Sequence, residues 1–464
     1  MLVVALAVAL ALSVCAAPTG WVGQAWAGAP GPQTTSPIVG FADAAGIHVV
    51  AVTKLDPRQY NISVLSAALG RPVDVRVLLP DNYDPGAGIR YPVLYLFHGT
   101  SGRASDWVNQ GNAEAATAGL PLIVVMPDAG FNGDGGGWFT NWNDPNTVLG
   151  PSQWETFHVG QLIPWIDRNL ATVATRSGRA VAGLSQGGFG SMTYAARHPD
   201  TFVSAAAFSG APDIDYNPVV AAGATVIIDG TALGLDGVEP DAMFGSRLTN
   251  EINWQGHDPA DLAPNLRATS LWLYTATGIP GPLDPPTPNP SASAIEALTH
   301  ASTMSFYQHL NQLGIPSHLD NYVFGTHTWA YWSRDLRQYL VPLMAMFAQP
   351  PATPATISYE SIDPHWTEWG WSVNIVRPAV QQFSQLQNAG VGGFSLSGQG
   401  LAEVITPPLY GPLSAATVSL SGATTEIEHI SADSGGRLHI PVPVGGSFLG
   451  IAFPATESVA ITGS

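Results

Sequence analysis

The 464-residue sequence has one cysteine, Cys15, and few cations: 16 Lys and Arg against 34 Asp and Glu, a net charge of −18. A surface of that sign repels phosphate backbones and anionic lipid, which excludes a nucleic-acid-binding role. Charged residues are only 11% of the chain, well under the usual quarter or so of a globular protein. The surface must therefore be built from Ser, Thr, Asn, Gln, Gly and Pro. Hydrophobic residues reach 45%, enough for a substantial core, so disorder is excluded. There is no internal repeat of fixed period.

Cys15 lies inside the apolar opening run from Met1 to Ala17, which reads as the core of a signal peptide although it lacks a positive leading region. Ala25-Trp26-Ala27 supplies a small-x-small cleavage pattern, so residues 1–27 are expected to be removed and the mature chain to begin near Gly28. The alternatives are a retained membrane anchor or a lipoprotein, and the latter requires a small residue where Val14 stands. Once the leader is gone no thiol remains. Disulfides, a cysteine nucleophile and thiolate metal sites are then excluded.

From about Val73 the pattern alternates between strands and helices. Tyr91–Phe97 and Leu120–Met126 are continuous apolar runs, as expected of strands buried on both faces. Ser152 with Glu155 reads as a capping box opening a helix that runs to about Leu170. Arg179–Gly183 is a short strand followed by a helix to Arg197. Phe202–Phe208, Ser270–Thr277 and His318–Phe324 read as further strands, and Ser291–Leu313 and Trp329–Phe347 as helices. Repeated βα units predict a mostly parallel sheet covered by helices. Two long connections, Phe131–Pro151 and Asn217–Leu266, are placed to shape a cleft. Residues 28–72 are expected to hold a leader and the first strands, and residues 73–348 the α/β unit. Residues 349–357 are Pro-rich and read as a linker. Beyond them, residues 358–464 alternate like a small all-β domain.

The decisive motif is Gly183-Leu184-Ser185-Gln186-Gly187. Between a strand and a helix, G-x-S-x-G is the nucleophile elbow of α/β hydrolases: the glycines permit a sharp turn that presents Ser185 at the helix head. Serine needs a base to remove its proton, and in this fold the order along the chain is Ser, acid, His. His327 follows the strand His318–Phe324 and fits; His257, His300, His309 and His318 are less well placed. The acid should follow Ser270–Thr277, where Asp284 and Glu296 both qualify and position does not separate them. The oxyanion needs N–H donors. Gln186, next to the nucleophile, and Thr100, in the His98-Gly99-Thr100 loop, are the candidates. No metal or organic cofactor is required.

These residues, with Tyr95-Leu96-Phe97-His98-Gly99, Ile123 to Asp128, Trp154-Glu155-Thr156-Phe157, Ala196-Arg197-His198-Pro199 and Thr326 to Trp332, make the chain resemble the esterase-D-like branch of α/β hydrolases. Within that branch it is similar to the secreted mycobacterial mycolyltransferases, the antigen-eighty-five complex. The resemblance covers roughly Val73 to Phe347. It implies a glutamate acid early in a helix, which matches Glu296, and an acceptor-site tryptophan, which matches Trp329. His98-Gly99-Thr100-Ser101 departs from the mycolyltransferase oxyanion loop, that family's cysteines are absent, and the all-β tail is additional.

Three functions compete on these grounds. The first is a secreted or envelope-associated serine esterase acting on a lipid or glycan ester. The second is an acyltransferase moving an acyl chain to a sugar hydroxyl. The third is a non-catalytic carbohydrate-binding or cell-wall protein, in which Trp366, Trp369 and Trp371 stack on sugars; as core aromatics they say nothing of function. Cell-wall association would run through the C-terminal domain.

Overall fold

The computed structural model describes residues 39–131, 136–377, 381–448 and 451–463. The expected signal peptide and its cleavage site lie outside them.

Nine strands form one sheet: β1 Ile47–Lys54, β2 Gln59–Ser66, β3 Pro72–Leu78, β4 Val93–Phe97, β5 Ile123–Pro127, β6 Arg179–Leu184, β7 Ser204–Phe208, β8 Ser270–Thr275 and β9 Ser317–Asn321. Their spatial order is β1-β2-β3-β5-β4-β6-β7-β8-β9. The first four in that order pair antiparallel and the remaining pairs are parallel. Every residue of β4, β5 and β7 is buried, which is why these runs do not alternate. Successive side chains of one strand serve opposite cores. Val93, Tyr95 and Phe97 enter a core with Trp165, Phe189 and Met192. Leu94 and Leu96 enter another with Trp107, Leu336 and Tyr339. Helices therefore cover both faces, as expected.

One local expectation is corrected. Ser152 does not cap a helix: its φ is 47° and helical residues begin at Trp154. Glu155 is turned away from the helix start to meet Arg197 and His198. Thr156–Leu162 is then wound as a π-helix before the α-helix Ile163–Asn169. Pro164 explains the widened turn, because it has no N–H for the carbonyl of Gly160 and its ring would crowd that carbonyl in an α-helix. The connection Asn217–Leu266 is largely helical, with helices Pro218–Thr231 and Arg247–Gln255.

The last helix of the α/β unit, Trp329–Ala348, is followed by Ile357–Ser361, the first strand of the tail. The tail is a sandwich of a seven-stranded and a four-stranded sheet. Leu386, Leu396 and Val418 from one sheet meet Val373, Val404 and Ile440 from the other. Trp366 and Trp371 are buried in that core, and Trp369 lies under the Arg176 guanidinium at 5.0 Å. The three tryptophans are core and interface aromatics, so sugar stacking by this domain would need other residues.

The sandwich is bolted to the α/β unit at the end of the helix Gln186–Arg197. Buried Arg197 donates to Glu155 at 2.7 Å and to Asp363 of the tail at 2.8 Å. The Tyr359 hydroxyl donates to the Arg197 carbonyl. His198 sits between Glu155 at 2.8 Å and Glu368 of the tail at 3.0 Å.

Burial alone would lower the His198 pKa, but its two carboxylate partners outweigh burial and raise it to about 10. A histidine raised from 6.5 stabilises the fold fully below pH 6.5 and progressively less as pH climbs through about 10. Burial also pushes Glu368 from its ordinary 4.5 up to about 8, so the stability it contributes as a neutral acid is lost as pH climbs between those values. Burial would raise Glu155 too, but Arg197 and His198 hold it well below its ordinary 4.5, so loss on the acid side begins only below that value. The melting temperature is therefore expected to be highest near pH 4.5 and to fall toward pH 10, with the His198 part of the fall above pH 6.5. His198→Gln should flatten that fall. A melting temperature that is constant from pH 6.5 to 10 in the native protein would contradict this account.

Candidate active site

Ser185 ends β6 and opens the helix Gln186–Arg197 with φ 52° and ψ −122°. That backbone is unfavourable for a residue with a side chain and persists only where its surroundings enforce it. The enforcement is visible at two glycines. A Cβ on Gly183 would lie 2.3 Å from the Gly187 carbonyl oxygen, and one on Gly187 would lie 2.4 Å from that of His98. The strand, the helix and the β4 loop therefore meet too closely for any other residue. The Ser185 N–H is anchored to the Phe208 carbonyl of β7 at 2.9 Å.

His327 stands on the loop between β9 and the helix Trp329–Ala348. Its Nδ1 lies 2.8 Å from Oε2 of Glu296. A carboxylate accepts only, so Nδ1 carries the proton and Nε2 keeps a free lone pair. Nε2 is buried and has no hydrogen-bond partner among the described residues. Glu296 lies within the helix Pro290–Gln312 and is fully buried. Its other oxygen accepts from the Ser209 hydroxyl and the Ala276 N–H, both at 2.9 Å. Ser209 escaped the sequence reading, because a serine after a strand carries no distinguishing pattern. Asp284, the other acid candidate, is engaged elsewhere. It accepts from the Thr326 hydroxyl, from the Tyr331 hydroxyl at 2.9 Å and from the Gly281 N–H at 2.7 Å, bracing the loop that carries His327.

The rival histidines have other occupations. His257 is buried against the Asn253 carbonyl and pushed down to about 4, mainly by that burial. His318 packs against Trp272 with the rings tilted, centroids 4.5 Å apart. His309 lines a cavity of ≈ 840 Å³ between the helical insertion and the helix Pro290–Gln312, with Asp213, Asp215, Arg247 and Asp261. None of Ser185, Glu296 and His327 lines that cavity.

On the oxyanion side, a Cβ on Gly99 would lie 3.1 Å from that of Ser185. Thr100 follows it half-buried. Gln186 is the first residue of its helix, where N–H groups have no intrahelical acceptor. Trp329 is half-buried, edge-on to Trp107 at 5.3 Å and to Trp332 at 5.2 Å, and Trp332 in turn meets the His327 ring at 4.9 Å.

A family model for esterases matches residues 66–343, more than half of the chain. The chain belongs to this esterase family. Among its relatives is Esterase Rv1288 of Mycobacterium tuberculosis, 34% identical over 295 residues, a match covering 62% of this chain and 60% of the relative. The chain thus spans less than two thirds of that relative's length. The MPT51/MPB51 antigen of Mycobacterium bovis is 30% identical over 63% of this chain and 89% of its own. The diacylglycerol acyltransferase/mycolyltransferase Ag85B of Mycobacterium leprae is 30% identical over 60% and 81%. The crystal structure of Mycobacterium tuberculosis MPT51 superposes with a TM-score of 0.50 at 28% identity, covering 62% of this chain and 98% of that one. The esterase match ends at residue 343, before the first tail strand at Ile357.

Proposed function

We propose that this esterase-family protein hydrolyses carboxylic esters with Ser185 as nucleophile, His327 as base and Glu296 as the acid that orients it. The observation carrying this reading is the His327–Glu296 pair at 2.8 Å, with the second ring nitrogen buried and without a partner among the described residues, in a fold whose elbow serine is held at a positive φ. His327 Nε2 takes the Ser185 proton as Oγ bonds to the ester carbonyl carbon. The oxyanion accepts from the Gln186 and Thr100 N–H groups. Collapse breaks the bond to the alcohol oxygen, which leaves with the proton from His327. Water then attacks the acyl-enzyme, giving its proton to Nε2, and the acid departs as Ser185 recovers its hydrogen.

A second reading, acyl transfer to a sugar hydroxyl, is favoured by the likeness to the Ag85B acyltransferase. It shares every step but the last, in which the hydroxyl replaces water, with Trp329 at the acceptor side. The apolar opening run supports export, with the protein secreted or held at the cell envelope.

A fluorophosphonate probe with site mapping by mass spectrometry tests the nucleophile. Labelling is expected at Ser185 and is expected to vanish in His327→Ala. A folded protein that stays unlabelled would overturn the reading in favour of a non-catalytic binding protein.

A further inference from the structure

We infer that His98 is a positioning residue that aims the Thr100 N–H at the oxyanion, an inference that rests on the proposed nucleophilic role of Ser185. The His98 ring is almost fully buried and both nitrogens are committed. Nε2 accepts from the Ala129 N–H at 2.9 Å, so Nε2 bears no proton. Nδ1, 2.8 Å from the Gly99 carbonyl oxygen, must then carry it and donate. The ring is thereby fixed as one neutral tautomer.

The Gly99 carbonyl also accepts from the Gly102 N–H at 3.0 Å. Two donors thus hold this oxygen on the His98 side of the loop. The structure has no cis peptide bond among the described residues. In a trans peptide the N–H points opposite to the C=O. Holding the Gly99 carbonyl toward His98 therefore turns the Thr100 N–H to the opposite side of the same plane. Thr100 makes no hydrogen bond among the described residues, so its N–H is unspent. The plane sits against the nucleophile, since a Cβ on Gly99 would lie 3.1 Å from the Ser185 Cβ and 2.7 Å from the Leu184 side chain. The loop has no slack on its other side either. A Cβ on Gly102 would lie 2.8 Å from His98 Nδ1, and one on Gly187 2.4 Å from the His98 carbonyl oxygen.

The two nitrogens of His98 thus have separable duties. Nε2 ties the loop to the segment after β5, and Nδ1 sets the peptide plane. An asparagine places an amide donor at the level of Nδ1 but does not reach Ala129. A glutamine reaches the level of Nε2 but has no donor at that of Nδ1.

The test compares His98→Asn, His98→Gln and His98→Leu in the full chain on a p-nitrophenyl ester, with kcat, KM, melting temperature and the Ki of a boronic acid that forms a tetrahedral adduct. Loss of an oxyanion donor costs about 100- to 1,000-fold in kcat. His98→Leu should show a loss of that order with KM changed little. His98→Asn should recover much of the kcat, and His98→Gln the melting temperature but not the kcat. The boronic acid should weaken in parallel with kcat. If kcat instead follows melting temperature across the three variants, or if KM rises while kcat holds, His98 is only structural and the inference is overturned. Failure of the underlying reading looks different: the unmodified protein would neither turn over the ester nor be labelled at Ser185.

Discussion

Ser185→Ala is expected to lower ester turnover by about a million-fold while leaving the melting temperature within a few degrees of the parent. A loss of that order is what removal of a nucleophile costs when the serine and its base act as one unit. The alanine keeps the Cβ that the elbow already accommodates at φ 52°, so the fold is not asked to change. Because the residues act together, His327→Ala should cost nearly as much, and the double variant little more than either alone. The same experiment separates the acids. Glu296→Gln removes the charge that in the proposed mechanism steadies the His327 imidazolium and should cost about 10⁴-fold in kcat. Asp284→Asn touches only the brace through Thr326 and Tyr331 and should cost far less. Comparable losses in the two acid variants would remove Glu296 from its role. A Ser185→Ala protein with full turnover would remove the mechanism altogether.

Arg197→Met is expected to destabilise the protein by about 3–5 kcal/mol, because it takes from buried Glu155 one of its two cationic partners and unpairs Asp363. Glu155 is 5% exposed. Its Oε1 is shared between Arg197 at 2.7 Å and His198 at 2.8 Å. Methionine matches the arginine stem in bulk but offers no charge. It also releases Asp363, the carboxylate on the sandwich side of the same guanidinium. Arg197→Lys should rescue only in part, since one ammonium cannot reproduce a fork that serves Glu155, Asp363 and the Gly256 carbonyl at once. The helix has 12 residues, so Arg197 lies about 18 Å from the nucleophile at 1.5 Å per residue. Turnover per folded molecule should therefore hold at low temperature while chemical denaturation shifts to lower denaturant. A change below about 1 kcal/mol, the range of an exposed ion pair, would mean that water reaches Glu155 and that this joint is not buried in solution.

The joint bears on how the tail is understood. The Pro-rich stretch after the last α/β helix reads in sequence as a linker, and the tail beyond it as a small all-β domain. Tyr359, Asp363, Glu368 and Trp369 tie it to Arg197, His198, Asp200 and Arg176. The tail thereby covers the rear of the nucleophile helix and belongs to the packing of the α/β unit.

Periodicity determined by itself the features that depend on neighbours in the chain. Strands β4 and β5 appear where unbroken apolar runs place them, because a strand covered on both faces leaves no polar side. The elbow was legible because glycine at 183 and 187 leaves one kind of turn open between a strand and a helix. Chain order pointed to His327. The choice between Glu296 and Asp284 was beyond the residues' positions alone, since both follow β8 and their difference is a matter of direction. Only the folded chain brings Glu296 to the His327 ring while Thr326, Tyr331 and Gly281 occupy Asp284. The capping box at Ser152 failed for a related reason. A local hydrogen bond from Glu155 was outbid by a buried cation 42 residues away, and an ion pair withdrawn from water outweighs a bond to an exposed helix end. Ser209 and the two-sided grip on His98 depend on groups that meet across strands, and no spacing along the chain records such meetings.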